Sequence, residues 1–137
     1  MATLRLLTDA TTTSSAPTTA AQGVEIRRGT CINPSIFVWS DNGSGAISVT
    51  LRVWGYSAHA AAISAAANAW FPLGVGADAT KGILNDAAAM GETNTNQLNH
   101  MENINGIANC DRVYVQVTAI AGTSSIVQCA IVDRLQF

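Results

Sequence analysis

Alternating side chains over residues 111–118 constrain the fold of this chain more than any other feature. Valine occupies every second position from 113 to 117, and aromatic or polar residues lie between. Successive side chains of a strand point to opposite faces, so a period of two is typical of a strand with one buried face. A second run rich in β-branched residues, 126–132, follows after a short loop around Gly122. The two runs are therefore predicted to form a hairpin.

The same alternation recurs over residues 46–54. One face carries four aliphatic residues, Ile47, Val49, Leu51 and Val53. Burying each of them stabilises the fold by roughly 1.5–3 kcal/mol, so the register of this strand is well specified. The apolar run 36–39 precedes it, across a sequence of Asp, Asn, Ser and Gly that favours a tight reversal. A second hairpin is predicted here.

Shorter strands are predicted at 3–7, 24–27, 70–74, 83–84 and 97–102, and residues 103–109 are predicted to turn or coil. The alanine-rich stretch 58–69 has one large apolar residue, Ile63, and is predicted to be a loop with at most a helical turn. About seven or eight short strands without a long amphipathic helix are typical of an all-β protein. We predict a single domain, a β-sandwich or jelly roll over residues 24–137.

Residues 1–23 are predicted to form an N-terminal strand and an extended arm. Thr, Ser and Ala dominate residues 9–22, which have no periodicity and little to bury. Two alternatives remain open for this arm. It is either a disordered leader or a segment that becomes ordered only against a neighbouring subunit.

Low charge limits the partners that the sequence favours. Charged residues make up 12% of the chain and the net charge is −2. The sequence has no stripe of basic residues that would bind a nucleic-acid backbone. No apolar run reaches the roughly 20 residues that span a membrane. The first nine residues become polar too soon for a signal peptide. We expect neither nucleic acid nor a membrane as a partner. A surface with little charge suits a protein that is covered in an assembly.

No residue is predicted to be catalytic, cofactor-binding or metal-binding, and we expect the protein not to be an enzyme. His59 and His100 lie far apart, and the pair His100 and Glu102 is more typical of a surface hydrogen bond than of a ligand set. Neither a serine nucleophile elbow nor a phosphate loop with its lysine is present. The cysteines are odd in number, lack a C-x-x-C spacing and are predicted to be reduced and buried: Cys31, Cys110 and Cys129.

The aromatic residues have two interpretations. Core packing is the usual position of tryptophan in a small β domain. Alternatively, five residues line a sugar-binding surface: Trp39, Trp54, Trp70, Tyr56 and Tyr114. If the aliphatic face of residues 47–53 points to the core, Trp54 points outward or into a second layer, where an exposed tryptophan marks a contact surface, most often for protein.

Three stretches resemble small virion proteins of tailed double-stranded DNA bacteriophages: Trp70-Phe71-Pro72-Leu73-Gly74, Gly82-Ile83-Leu84-Asn85 and the run from Asp111 to Thr123. The size, neutrality and all-β pattern of residues 36–137 are similar to those of capsid cement (decoration) proteins with a jelly-roll fold. The resemblance implies a non-enzymatic protein that binds the outside of the major capsid protein shell and stabilises the capsid.

The same resemblance implies the partners and the location. The partners are the major capsid protein and further copies of this chain, as a homodimer in preference to a homotrimer. The location is the capsid surface of a virion assembled in the bacterial host cytoplasm. Two other functions remain open, namely another virion component such as a tail or fibre adaptor, and a carbohydrate-binding β-sandwich module that uses the tryptophans.

Overall fold

A computed structural model describes residues 2–26, 34–41, 48–63, 70–75, 83–84, 97–121 and 126–133 of the chain. The strands in these ranges are β1 (Ala2–Ala10), β2 (Val24–Glu25), β3 (Ser35–Asp41), β4 (Ser48–Tyr56), β5 (Trp70–Pro72), β6 (Gly74–Val75), β7 (Ile83–Leu84), β8 (Gln97–Asn105), β9 (Arg112–Ala121) and β10 (Ile126–Asp133). A short helix, α1 (Ala58–Ile63), and a 3₁₀ turn (Ile107–Asn109) are the other described elements.

The predicted all-β class is confirmed, because the strands form two antiparallel sheets. The first sheet has the order β1-β10-β3-β8-β6, and the second has the order β2-β9-β4-β5, with β7 also paired to β4. Consecutive strands change sheet repeatedly: β1 and β3 lie in the first sheet, β2 and β4 in the second. The last three strands alternate in the same way, with β9 in the second sheet and β8 and β10 in the first.

One hydrophobic core lies between the two sheets. The second sheet contributes every second residue of β4 and β9, namely Val49, Leu51, Val53, Val113, Val115 and Val117. The first sheet contributes every second residue of β3 and β10, namely Ile36, Val38, Val127, Cys129 and Ile131. The predicted buried faces of residues 113–117 and 49–53 are therefore confirmed, whereas Ile47 lies outside the described residues.

The hairpin predicted from residues 111–132 is wrong in its pairing. Its two strands exist, but β9 pairs with β2 and β4 in the second sheet. In contrast, β10 pairs with β1 and β3 in the first sheet. The connection, residues 122–125, lies outside the described residues. Alternation identifies which face of a strand is buried, but it does not identify the strand's neighbours.

The hairpin predicted from residues 36–54 is wrong for the same reason. β3 pairs with β10 and β8, and β4 pairs with β9, β5 and β7. The two strands thus lie in different sheets, and each buries its apolar face in the core between the sheets. That arrangement satisfies the same alternating pattern as a hairpin.

The shorter predictions agree more closely with the structure. Strands occur at 83–84 and 97–105, although β8 extends into the predicted turn at 103–109. The single strand predicted at 70–74 is instead two strands, β5 in the second sheet and β6 in the first. The stretch predicted to be mainly loop contains the six-residue helix α1. The Asp111 carboxylate accepts a hydrogen bond from the main-chain nitrogen of Ala58 at 2.7 Å, which caps the start of this helix.

β1 is an edge strand of the first sheet, and Ala2 lies opposite Asp133 of β10. The register between the two strands shifts twice, between Arg5 and Leu7 and between Leu7 and Ala10, so β1 carries extra residues relative to its partner. The division of the chain at residue 23 stays a prediction. Hydrogen bonds nevertheless join residues on both sides of that division, as described next.

Candidate functional site

Four aromatic side chains share the face of the second sheet that points away from the core. They are Trp54 and Tyr56 of β4, Trp70 of β5 and Tyr114 of β9. The ring centroids of Tyr56 and Trp70 are 5.4 Å apart, and those of Trp70 and Tyr114 are 6.2 Å apart. Ring contacts at such distances stabilise by about 0.5–1.5 kcal/mol beyond the area that they bury. Three of these rings thus form one connected cluster.

Trp54 is held on this face by two polar neighbours. The guanidinium carbon of Arg52 lies 5.2 Å from the centre of the Trp54 ring, within the range of a cation–π contact. The indole Nε1 of Trp54 donates a hydrogen bond to Oε1 of Gln116 at 3.0 Å. Gln116 in turn donates from Nε2 to the main-chain oxygen of Ser14 at 3.2 Å. The amide side chain therefore joins β4 to a segment far away in sequence.

Residues 14–23, called the covering segment below, lie against the edge of β9 and this outer face. At one end, the main-chain nitrogen of Ser14 donates to the Val117 oxygen at 2.9 Å, and the Val117 nitrogen donates to Oγ of Ser14 at 2.9 Å. Further along, the Tyr114 hydroxyl donates to the Ser15 oxygen at 3.1 Å. Nε1 of Trp70 donates to the Thr19 oxygen at 2.9 Å. The aromatic residues thus bind main-chain oxygens of the segment.

Arg112 binds the other end of the covering segment. Its Nε donates to the Gln22 oxygen at 2.9 Å, and its Nη2 donates to the oxygens of Gly23 at 2.8 Å and Ala21 at 3.2 Å. The rigid guanidinium suits three neighbouring carbonyls because its donors diverge in one plane. Arg112 therefore fixes the point at which the segment returns to β2.

The covering segment also has local structure of its own. Oε1 of Gln22 accepts hydrogen bonds from the main-chain nitrogens of Thr18 at 2.6 Å and Thr19 at 2.9 Å. Gly23 has φ +77°, and a Cβ at this position would lie 2.5 Å from a main-chain oxygen of β9 and 3.0 Å from the Trp70 ring. Only glycine combines this backbone conformation with so close an approach. Pro17, in the middle of the segment, is fully buried.

These contacts correct both alternatives for residues 9–22. The segment is neither a disordered leader nor ordered only against a neighbouring subunit, because it binds the chain's own β9. Sequence reasoning missed the residues that hold it, above all Arg112, Gln116 and Gly23. A signal was present, since Arg112 and Gln116 occupy the outward positions of an alternating strand that also carries Tyr114.

The outer face of the first sheet has a different character. Phe37 of β3 lies between Met101 of β8 and Ala130 of β10 in the sheet register, and Trp39 lies further along β3 on the same face. Met101 is 55% exposed, and Phe37 and Trp39 are half-buried. A depression of about 290 Å³ adjoins this row, bordered by Arg5 and Val132 among others. We call Phe37, Trp39, Met101 and Ala130 the apolar row.

The predicted five-residue aromatic surface is thus divided between the two sheets. Trp39 lies on the first sheet, whereas the other four lie on the outer face of the second. Of these four, Trp70 is only 7% exposed. The structure brings together four of the five residues, and the covering segment occupies hydrogen-bonding groups of two of them.

A cavity of about 400 Å³ lies between β1, residues 12–14 and β9. Its lining combines aliphatic side chains with threonine, serine and tyrosine, and it contains no charged residue. Such a lining offers space for an apolar group, but no acid, base or metal ligand.

Two cysteines are buried free thiols, as predicted. Burial raises the pKa of the Cys110 thiol to about 11, and the charge of Asp111 contributes to the rise. Burial alone raises the pKa of Cys129 far above its usual range. Both remain protonated at neutral pH and are therefore poor nucleophiles. Cys31 lies outside the described residues.

Within the described ranges, no three His, Cys, Asp or Glu side chains come together as metal ligands would. His59 is exposed on α1, and the side chains of His100 and Glu102 lie outside what the structure describes. Buried side-chain nitrogen and oxygen atoms all have hydrogen-bond partners in the described part of the chain. The predictions about metal, cofactor and catalysis stay predictions.

Comparisons with known proteins identified no relative. No family model, curated protein or solved structure matches the chain. Among the described residues, no helix is long and apolar enough to cross a membrane.

Proposed function

We propose that this chain is a structural virion protein that binds the outside of a major capsid protein shell and stabilises the capsid. The proposal keeps the function implied by the resemblance of residues 36–137 to capsid cement proteins. It includes a location on the capsid surface of a virion assembled in the bacterial host cytoplasm. Two partners follow, the major capsid protein and a second copy of the chain.

The apolar row on the outer face of the first sheet is the observation that carries this proposal. A sheet has one face to bury in its own core, and in this sheet alternate residues of β3 and β10 already fill that role. Phe37, Trp39 and Met101 then place large apolar side chains on the opposite face. Apolar residues grouped on a surface mark contacts with other proteins more often than any catalytic function.

We also infer that the two sheets follow the jelly-roll topology. A jelly roll has eight strands in two sheets built from Greek keys. The order β1-β10-β3-β8 beside β2-β9-β4-β5 supports this assignment, since each sheet places strands from the end of the chain between strands from its beginning. On this assignment β6 and β7 are additions to the eight.

Co-sedimentation with undecorated phage heads tests the function. We expect the wild-type protein to pellet with the heads at native salt. Burying a methionine contributes about 1.5–3 kcal/mol, so M101E should weaken binding at least tenfold. T118E is the matched control, because Thr118 is exposed on the second sheet. Wild-type protein that stays entirely in the supernatant contradicts the proposal.

Labelled antibodies in electron micrographs separate this function from that of a tail or fibre adaptor. Label over the head supports a cement protein. Label confined to the tail supports the adaptor and rejects the capsid as the partner.

A carbohydrate-binding function is the second candidate, and the observation that favours it is the pair Trp54 and Arg52. Both are partly accessible on a sheet face, and a tryptophan beside a polar group is a common sugar contact. Binding on a glycan array that W54A abolishes would support this function. An array without hits, together with unchanged tryptophan fluorescence in sugar solutions, rejects it.

A further inference from the structure

One edge of β1 is unpaired among the described residues. The strand pairs with β10 on one side, and within the described ranges no strand pairs with its other side. The unpaired main-chain groups of an edge strand accept an additional strand from another molecule. Nine residues, Ala2–Ala10, form this edge.

Two opposite charges lie along β1 on the same face of the sheet. Arg5 is opposite Ala130 of β10, and the Asp9 carboxylate accepts a hydrogen bond from Nε2 of Gln128 at 2.7 Å. Ala130 and Gln128 occupy the outward positions of β10. Arg5 and Asp9 are both exposed. Their side chains therefore lie at the outer face, beside the free edge.

The segment from Leu4 to Ala10 is complementary to itself when it is reversed. Arg5 and Asp9 are equally distant from Leu7 along the chain. An antiparallel copy centred on Leu7 places Arg5 opposite Asp9 of the second chain, and Asp9 opposite Arg5. It also places the apolar residues Leu4 and Ala10 opposite each other, and Leu7 opposite its own copy. The two register shifts flank Leu7, one on each side.

We propose that β1 pairs antiparallel with β1 of a second copy, in the register centred on Leu7, and forms a two-fold symmetric dimer. The interface consists of main-chain hydrogen bonds, a central leucine contact and two ion pairs between Arg5 and Asp9. A two-fold interface uses the same surface of both copies, which this self-complementary segment provides. The first sheets of the two copies then join into one continuous sheet.

Charges and bulges on an edge strand also occur as protection against aggregation. A protective charge disfavours every incoming strand, whatever its sequence. Here Arg5 and Asp9 have opposite charges and are equally distant from Leu7. In a reversed copy, each of them therefore lies opposite a residue of the opposite charge. Opposite charges directly across a strand pair stabilise it, and like charges destabilise it.

The dimer deepens the part of the proposed function that names a second copy as a partner, but its test needs no capsid. Sedimentation equilibrium of the full chain over a concentration series gives the dissociation constant. We expect a monomer–dimer equilibrium for the wild type. R5E replaces two attractions by two repulsions and should raise the dissociation constant about tenfold or more.

Charge-swapped partners test the register. D9K alone should also weaken the dimer, and E25K, which changes the charge equally at the exposed Glu25 of β2, should not. An equimolar mixture of R5E and D9K chains should restore association, because every charged pair in the mixed dimer is attractive again. D9K places lysine at a residue with φ 49° and loses the bond to Gln128, so thermal melting must show that it folds. If it does not fold, R5E/D9N removes the repulsion and should bind more tightly than R5E.

Several outcomes overturn the dimer. The wild type must not stay monomeric at every concentration or form a trimer. R5E must raise the dissociation constant of the dimer. Association of the R5E chain must be restored by mixing with D9K chains or by adding the D9N substitution. The capsid function is separable. If a monomeric R5E chain still pellets with heads, the capsid function stands without the dimer. If the wild type forms the dimer but does not bind heads, the dimer stands and the capsid function is rejected.

Discussion

Removing the Arg112 side chain should release the covering segment from the second sheet. In R112A, three carbonyls of residues 21–23 lose their donor, and the point at which the segment returns to β2 is no longer fixed. The contacts at Ser14 and Tyr114 remain. We therefore expect the segment to open locally while the core between the sheets stays folded.

The size of the effect follows from the three hydrogen bonds. A hydrogen bond to a charged group contributes about 1.5–3 kcal/mol when it is well shielded. Arg112 is half-buried and its three bonds share one side chain, so their contributions do not add and solvent weakens them. We assign a total of about 2 kcal/mol to their loss, which increases the open population about 30-fold.

Limited proteolysis with elastase measures that population. Ala16, Ala20 and Ala21 are exposed and supply cleavage sites inside the segment. When the segment closes faster than the enzyme cuts, the cleavage rate follows the open fraction. Cleavage at these alanines, mapped by mass spectrometry, should be slow in the wild type and about 30-fold faster in R112A. R112K keeps the charge but not the planar fork, so it should be intermediate.

R52A is the matched control, because Arg52 lies on the same sheet face but contacts the Trp54 ring. It should leave cleavage of the segment unchanged. Equal cleavage of R112A, R52A and the wild type would show that Arg112 does not hold the segment. Rapid cleavage of the wild type itself would show that the segment is not bound at all.

Three further substitutions or conditions test other parts of the fold. G23A should destabilise the protein by more than G106A, as measured by urea unfolding. Both positions have positive φ. At Gly23 an added Cβ would overlap a main-chain oxygen, whereas at Gly106 the nearest atom is 3.7 Å from it. L51A should cost about 2–5 kcal/mol because Leu51 is fully buried, and M101A should change stability by less than about 0.5 kcal/mol in the same assay. Stability should fall as pH rises from 9 towards 11, because the Cys110 and Cys129 thiols lose their protons in the unfolded chain and keep them in the folded one. C110A should show a shallower fall, and a C110A variant that falls as steeply as the wild type contradicts the part assigned to Cys110.

The alternation of residues 47–53 and 113–117 predicted the buried faces because burial acts on each strand separately. A valine or leucine at every second position has a favourable environment only when that face is covered, whatever covers it. The same reasoning placed Trp54 and Tyr114 on the outward face. The burial of Val53 and Val115 can therefore be predicted from the sequence.

The pairing partners of the strands could not be predicted from the sequence, because a hairpin and a connection between two sheets produce the same local pattern of apolar residues. The loop around Gly122 is short enough for a hairpin, yet β9 and β10 lie in different sheets. Their neighbours come from distant parts of the chain, as the pairings of Val24 with Val113 and Ala2 with Asp133 illustrate. Only the complete set of strands determines this choice.

The covering segment shows a second limit of sequence reasoning. Its residues carry few apolar groups, and low hydrophobicity predicts an unbound arm. The segment is held instead through main-chain oxygens, which every residue has and which no composition reveals. The donors of Arg112, Tyr114 and Trp70 supply the specificity, and they lie at least 51 residues away.

The strand order also governs how the protein is made. β9 lies between β2 and β4, and β10 lies between β1 and β3, so each sheet is divided until its inner strand arrives. A ribosome synthesises these two strands after the other strands that the structure describes. Neither sheet can therefore close while residues 112–133 remain in the exit tunnel, and the apolar faces of β3 and β4 stay accessible to chaperones throughout that time.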